Sequence, residues 1–472
     1  MDAAELAFSG IARQAELIRA GEISSRELVD IYLERIERLD PLLNSFRIVY
    51  PERAREEAGE ADRRVAAGET APLLGVPIAL KDEIDVEGEL STHGSAGFVR
   101  PADADASHYR RLREAGAVLI GRTTLSELAI WPFTETEAWG ETKNPWDRTR
   151  TCGGSSGGSG AAVAAGLVGA ASASDGGGSI RIPAAFNGIY GLKPQRGRIS
   201  LSPEPEHWLG LCVTGCLTRR VADTALWLDV TAGPEPGDAD TPPQPDRPFV
   251  QVAATPPGNL RVAMTSAVPR ALFPGIVRDE QREALGEAAS ILASLGHSVE
   301  ERDPDLGWIN NDAVPRFLGG IADHGKHVDR PERLERRTRG ILRMGNSFLD
   351  WTIRRSRTNE AKHSARINRV FEDFDVLISP VTGAPAPPVG QFAGKGSMST
   401  LVGVARRYPC TLQWNYTGQP AASIPLPPAA PGGMPRAFQI IVPPNREDLL
   451  LSLSAQLESE IGWPDHIPEE MR

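Results

Sequence analysis

Three residues combine type and setting in a way that could do chemistry: Ser155 and Ser179, each set among glycines, and Lys81 at the end of an apolar run. The stretch TCGGSSGGSGAAVAAGLVGAASASDGGGSIRIP, residues 151–183, carries the two serines at either end of a small-residue segment that reads as a tightly packed helix and the strand after it. Glycine admits positive φ and lets a ligand approach the main chain closely. A serine beside such glycines is a turn residue or a nucleophile, and Lys81 decides between the two. Its run, LLGVPIALKDEID, has the texture of a buried strand. That would place Lys81 at a carboxyl end, where open α/β sheets hold ligands. A free lysine titrates at about 10.4, so service as a general base requires burial to lower it by roughly three units. With Asp82, Glu83 and Asp85 following, a solvated, ion-paired strand end is the competing reading.

The glycine-rich stretch admits three readings. A phosphate loop requires G-x-x-x-x-G-K-[ST], which is absent, and no spaced acidic residue supports a dinucleotide site. A nucleophile elbow is closer, because GGSSG matches G-x-S-x-G with Ser155 at its centre. That reading, an α/β-hydrolase esterase, needs a downstream acid and then a histidine. His297, His324, His327 and His363 stand in no recognisable setting for it. The third reading takes Lys81, Ser155 and Ser179 together. In order, the chain shows G-V-P-x-x-x-K-D, G-G-S-S-G-G-S and D-x-G-G-S-I-R-x-P-A, and it resembles the amidase signature family of serine hydrolases. The interval between the two serines, the segments GLKPQRGRIS and GCLTRRVADTALWLDVTAG, and the distal GQPAASIPL resemble that family too.

The resemblance implies a role for each matching position. The family's lysine base falls on Lys81, its bridging serine, usually on a cis peptide, on Ser155, and its acylated nucleophile on Ser179. Its oxyanion loop falls on Gly176, Gly177, Gly178 and the Ser179 amide, with Asp175 and Arg181 as supporting polar residues. One departure stands out: Gly176 occupies a position where the family usually shows Thr or Ile, which keeps the donors and implies a softer loop. The implied reaction is cleavage of a carboxamide C–N bond through a seryl acyl-enzyme, extending to aryl amides, cyclic amides, esters or carbamates, with no cofactor or metal. The segment TETEAWGETKNPWD resembles the branch acting on synthetic amide oligomers. A glutaminase subunit of a tRNA-dependent amidotransferase and the Ser155 esterase are the alternatives.

The elements that must position these residues follow an α/β pattern. Helices are expected over 11–20, from Ser24 or Ser25 to about 39 with Pro41 beyond, and over 52–67, as a surface layer. A helix over 108–115, a strand over 117–123 and a helix from about Ser126 continue the alternation. Trp131, Trp139 and Trp146 either line a pocket or pack under the loop over 134–147. Beyond a Pro-rich connection after Gly233, a strand over 259–265, a helix over 279–295, a strand over 297–303, a strand over 438–444 and a final helix over 446–461 complete it. The fold class expected is α/β, a large mixed twisted sheet sandwiched between helices, as the family resemblance implies. The expected organisation is one domain over 1–472, with N-terminal helices over 1–70, the catalytic core over 73–233 and a variable helical region over 305–371 that shapes the substrate pocket.

Composition narrows the partners. A net charge of −11 and a pI near 5.4 argue against nucleic acid or an anionic membrane. Cys152, Cys212, Cys216 and Cys410 are too few for a disulfide framework. Cys212 and Cys216 are spaced like half of a metal site, without a second pair. No basic-then-apolar leader opens the chain, and the run over 161–173 is too short to span a bilayer. A cytoplasmic protein, monomer or homodimer, acting on a small amide or carbamate is expected.

Overall fold

The computed structural model describes residues 1–430 and 432–472. The strands in chain order are β1 (Phe46–Val49), β2 (Pro77–Lys81), β3 (Val118–Thr123), the small hairpin β4 (Glu135–Thr136) and β5 (Gly140–Glu141), then β6 (Ala170–Asp175), β7 (Tyr190–Lys193) and β8 (Val213–Thr218). β9 (Arg261–Met264), β10 (Ser298–Glu301), β11 (Val376–Pro380), β12 (Ala421–Leu426) and β13 (Arg436–Ile441) follow. Apart from the hairpin, all join one mixed sheet of order β1-β3-β2-β6-β8-β7-β12-β13-β11-β9-β10. Its parallel groups are β3-β2-β6 near one edge and β11-β9-β10 at the other, with antiparallel pairs between. The central strands β2, β3, β6, β7 and β8 are buried at every residue. Near-continuous apolar or small residues satisfy that demand, since both faces are covered.

The small-residue stretch folds as expected, into the helix Gly157–Ala164 and then β6. The reason for its composition is distance. A Cβ on Gly158 would stand 2.4 Å from Thr124 Oγ1 and 2.5 Å from the Ser45 carbonyl oxygen, and one on Gly157 would stand 2.2 Å from Thr134 Oγ1. Hydroxyls then fasten the helix to the sheet: Ser159 Oγ donates to the Ser172 carbonyl at 2.8 Å and pairs with Thr123 Oγ1 at 2.7 Å.

Three expectations need correction. The helix begun at Ser25 runs to Leu43 with Pro41 inside it, and ends at Asn44 in the left-handed conformation. A proline in a last turn removes one hydrogen bond, and Asn44 N–H still reaches the Asp40 carbonyl at 2.7 Å. The residues just after it, where no strand was expected, form β1, which pairs antiparallel with β3. From Ser126 no α-helix forms; a single tight turn, Glu127–Ala129, carries Leu128 at φ 50° and Ala129 at φ 57°. Tertiary contact overrides propensity here, because the segment wraps the turn that holds Ser155: Ser126 N–H donates to the Ser155 carbonyl at 3.3 Å.

The expected helical region contains the helices Asn310–His324, Arg336–Asn346 and Asp350–Asn368. The N-terminal helices dock through Asp223, whose Oδ1 accepts the Ala12 N–H at 2.8 Å while Oδ2 is buried without a hydrogen-bond partner. Burial pushes Asp223 up to about 7, although the Ala12 N–H favours its anion. The unfolded carboxyl titrates at about 3.9. Its contribution to stability is therefore full below about pH 4 and is lost as pH rises through about 7.

Two outcomes test this packing. Gly158→Ala should lower stability by about 1–3 kcal/mol, read from the urea midpoint, because backbone atoms of Ser45 and Thr124 occupy the space together with the short Thr124 hydroxyl; an unchanged midpoint would show that the helix can move away freely. Asp223→Asn should lose less stability than the parent between about pH 5 and pH 8.5 in the same assay; parallel losses would show that Asp223 does not titrate in that window.

Candidate active site

Lys81 ends β2 and is fully buried. β2 runs parallel to both β3 and β6, so the carboxyl ends of β2 and β6 lie together, bringing Lys81 beside Ser174. The strand end is pinned by Asp82, whose carboxylate meets Arg122 Nε at 2.7 Å and Arg47 Nε at 2.5 Å and accepts the Thr92 hydroxyl. The turn after it is tight, with Glu83 N–H donating to the Lys81 carbonyl at 2.7 Å, and it folds Glu83 back so that Oε1 lies 3.0 Å from Lys81 Nζ.

Ser155 is fully buried and follows a cis peptide bond from Gly154, immediately before the helix Gly157–Ala164. Its Oγ lies 2.8 Å from Lys81 Nζ, and Ser174 Oγ lies 2.8 Å from the same nitrogen. A Cβ on Gly154 would stand 2.5 Å from Phe133 N and from the Trp131 carbonyl oxygen, so only glycine lets this turn lie against that segment. The surroundings of the Lys81 amine are more polar than the apolar run that leads to it. The amine stands among two hydroxyls and a carboxylate, all but cut off from solvent. Burial alone would raise the Glu83 carboxyl, but the Lys81 charge, with the Ser174 hydroxyl and His93 adding to it, holds it below the ordinary value.

Ser179 lies in the loop between β6 and the helix Arg181–Asn187 and is half-buried. Ser155 Oγ meets Lys81 and not Ser179, whose hydroxyl is in no hydrogen bond among the described residues. The loop is organised by Asp175 and Arg181. Their ion pair is completely buried, with Nε to Oδ2 and Nη2 to Oδ1 both at 3.0 Å. Burial would raise Asp175, and the Arg181 guanidinium overrides it, holding the carboxyl at about 2. Asp175 also takes the Gly178 N–H at 2.6 Å and the Ile180 N–H at 3.2 Å. Gly178 N–H is therefore committed inward and is not free to face an oxyanion, a correction to the expected donor set. The amides of Gly176, Gly177 and Ser179 have no backbone acceptor among the described residues.

The glycine at 176 has a local cause. A Cβ there would stand 2.6 Å from the Trp208 ring, so the indole takes the room that a Thr or Ile side chain would need. Gly178, at φ 126°, packs with its α-carbon against Thr411, whose hydroxyl donates to the Gly177 carbonyl at 2.6 Å.

Several partners of the site were not legible in the motifs. Ser174 and Glu83 flank Lys81, and Ser156 Oγ bridges to the Ser174 backbone at 3.3 Å. From the far end of the chain, Asn415 Nδ2 donates to Asp175 at 2.6 and 2.9 Å, and Gln439 Oε1 accepts from Arg181 at 3.2 Å. The sequence signals for that region are the distal GQPAASIPL segment, which becomes β12 and its lead-in, and the strand expected over 438–444, which overlaps β13. The tryptophans split. Trp131 is buried in a stack with Phe133 at 5.9 Å, Trp146 donates to the Asn187 carbonyl at 2.9 Å, and Trp139 is partly exposed near Arg47. The cysteines are free and buried, and among the described residues no group of His, Cys, Asp or Glu is arranged to hold a metal. No helix among them is long and apolar enough to cross a membrane.

Comparison with known proteins finds relatives over nearly the whole chain. The chain is 46% identical over 469 residues to a Mycobacterium tuberculosis protein named "Putative amidase AmiB2", with 99% of each covered. It is 36% identical over an alignment of 492 residues to the 6-aminohexanoate-cyclic-dimer hydrolase of Paenarthrobacter ureafaciens, covering 97% of this chain and 95% of that protein. The solved structure of a 6-aminohexanoate cyclic dimer hydrolase complexed with substrate superposes with a TM-score of 0.87 at 32% identity, over 99% of this chain and 100% of that one. With the Amidase family model matching residues 27–451, this chain belongs to the amidase signature family and is an amide-cleaving hydrolase.

Proposed function

We propose that the chain cleaves a carboxamide C–N bond through an acyl-enzyme on Ser179, with Ser155 passing the proton between Ser179 and Lys81. One observation carries the reading: a buried lysine nitrogen lies 2.8 Å from Ser155 Oγ, at the start of a glycine-rich turn that leads through β6 to Ser179. An amide carbonyl is a poor electrophile, so the attacking hydroxyl must lose its proton as the new C–O bond forms. Ser179 gives its proton to Ser155, which gives its own to the free amine of Lys81. The relay run backward protonates the leaving nitrogen as the C–N bond breaks. Water then repeats the sequence on the ester and releases the carboxylic acid. Hydrogen bonds of such a relay tighten as substrate binds, which fits a Ser179 hydroxyl with no partner in the resting site. The free amides of Gly176, Gly177 and Ser179 are the donors for the oxyanion, each worth about 2.7–4 kcal/mol in the transition state.

The esterase reading fares worse on geometry. No histidine is hydrogen-bonded to Ser155 or Ser179 among the described residues. His297 pairs with Gln456, His363 with Asp312, and His207 with His324. For the substrate, Phe317 and Leu412 stand near Gly177, and Ile182 stands near Gly178. These apolar groups favour a small amide with an apolar or aryl acyl part. A cyclic amide is a specific second reading, supported by the likeness to the cyclic-dimer hydrolases.

A fluorophosphonate should label Ser179, located by peptide mass spectrometry; label on Ser155 would transfer the reading to the esterase. Lys81→Ala should lower kcat/KM for amide hydrolysis by about 10²–10⁴-fold, whereas His297→Ala should change it by less than about fivefold; a dominant histidine dependence would refute the lysine relay. A panel of aliphatic, aryl and cyclic amides and a carbamate, run beside glutamine, fixes the substrate class. Glutamine as the sole good substrate would point to an amidotransferase subunit instead.

A further inference from the structure

Lys81 Nζ has three oxygens at bonding distance: Ser155 Oγ at 2.8 Å, Ser174 Oγ at 2.8 Å and Glu83 Oε1 at 3.0 Å. An ammonium carries three N–H donors and no acceptor, so the charged lysine is saturated and offers Ser155 nothing that could take a proton. The neutral amine has two N–H groups and one lone pair. If Glu83 and Ser174 keep the two N–H groups, the lone pair is left facing Ser155. We propose that Glu83 is a positioning residue of the reaction, aiming the Lys81 lone pair at Ser155 and setting the pH above which that lone pair exists. This inference rests on the Lys81–Ser155–Ser179 relay proposed above. It assigns Glu83 a part that the motif reading did not.

The geometry fits the role from the chain upward. The tight turn after β2 folds Glu83 onto the lysine two residues before it, and only 6% of the Glu83 side chain remains exposed. A carboxylate at this distance favours the ammonium over the amine, so it delays the appearance of the base as pH rises. The balance is simple: Lys81 gives one proton to solvent and becomes an amine that stays 3.0 Å from the carboxylate oxygen. Glu83 and Ser174 both line a cavity of about 930 Å³, which provides the route by which that proton leaves.

Other titratable groups face Glu83 from the elements packed around it. Asp82, on the same turn, is paired with Arg47 and Arg122, and Asp85 lies two residues further along. From the following loop comes His93, held low chiefly by burial. From the segment before β8 come His207, which burial lowers to about 4, and Cys212, which burial raises. Across the cavity His324, hydrogen-bonded to His207 at 3.1 Å, is driven well below its ordinary value by burial, and His327 stands beyond it. Burial thus disfavours the charged form of His93, His207 and His324 around Glu83.

The test is the pH dependence of kcat/KM for an amide substrate in Glu83→Gln, Glu83→Asp and Glu83→Ala. Gln keeps the shape and an acceptor oxygen but loses the charge. The acidic limb of its profile should move to lower pH by about one unit or more, with plateau activity within about fivefold of the parent. Asp keeps the charge, so its limb should stay within about half a unit of the parent even where its plateau falls. Ala removes the acceptor and should lose at least about tenfold at every pH. A limb that stays in place in the Gln variant, or moves equally in the Asp variant, would overturn the inference and reduce Glu83 to a structural residue. Fluorophosphonate labelling of Ser179 in the parent separates the two levels. No label there removes the relay and this inference with it, whereas label with an unmoved limb removes the inference alone.

Discussion

The contact between Lys81 Nζ and Ser155 Oγ is the constraint from which the rest of the site follows. It joins residues 74 apart in the chain. It depends on the start of the helix Gly157–Ala164 lying close against the segments around it. Gly157 and Gly158 allow this, because a Cβ at the first would meet Thr134 and Cys152 and one at the second would meet Thr124 and Ser45. The serines of the same segment replace apolar interdigitation with hydroxyl bridges from the helix to β6. A segment of glycine, alanine and serine is poor in buried apolar volume, yet it is rich in what this approach needs.

A second constraint orders the other half of the site. Asp175 and Arg181 form a buried ion pair that also binds backbone amides of the loop, and Asn415 and Gln439 complete its hydrogen bonds from the C-terminal part of the chain. Buried ion pairs contribute little net stability against a well-packed apolar alternative, and removing one partner is costly. Their value here is directional. With Asp175 anionic and holding Gly178 N–H inward, the amides of Gly176, Gly177 and Ser179 are left without internal acceptors in a loop whose shape is set by charge. The same device recurs at the end of β2, where Asp82 between Arg47 and Arg122 anchors the residue next to Lys81.

Much of this was readable from the residues in order. Buried strands such as β2 and β6 leave apolar or small-residue runs, and glycine-flanked serines leave a spacing that chance rarely reproduces. The misses have a common source. The segment from Ser126 has helical propensity but is bent around the Ser155 turn. The residues after Asn44 lie between two expected helices, with no strand expected there, but pair with β3. Gly178 belongs to the glycine run by sequence, yet its amide turns to Asp175. Each was decided by a partner distant in sequence, which a local pattern does not record.

What the sequence determined by itself is the set of groups: one lysine after an apolar run, two serines in glycine turns, an aspartate and an arginine around the second of them. Those types and intervals are local properties, written in consecutive residues. What only the tertiary structure decided is how each group is used: that Glu83 and Ser174 share the lysine with Ser155, that three amides rather than four lack an internal acceptor, that Trp208 takes the space beside Gly176, and that Asn415 and Gln439 close the loop. These outcomes depend on which surfaces meet once the strands pair in a non-sequential order, and hydrogen bonds and charges act over a few ångströms of space, whatever their separation along the chain.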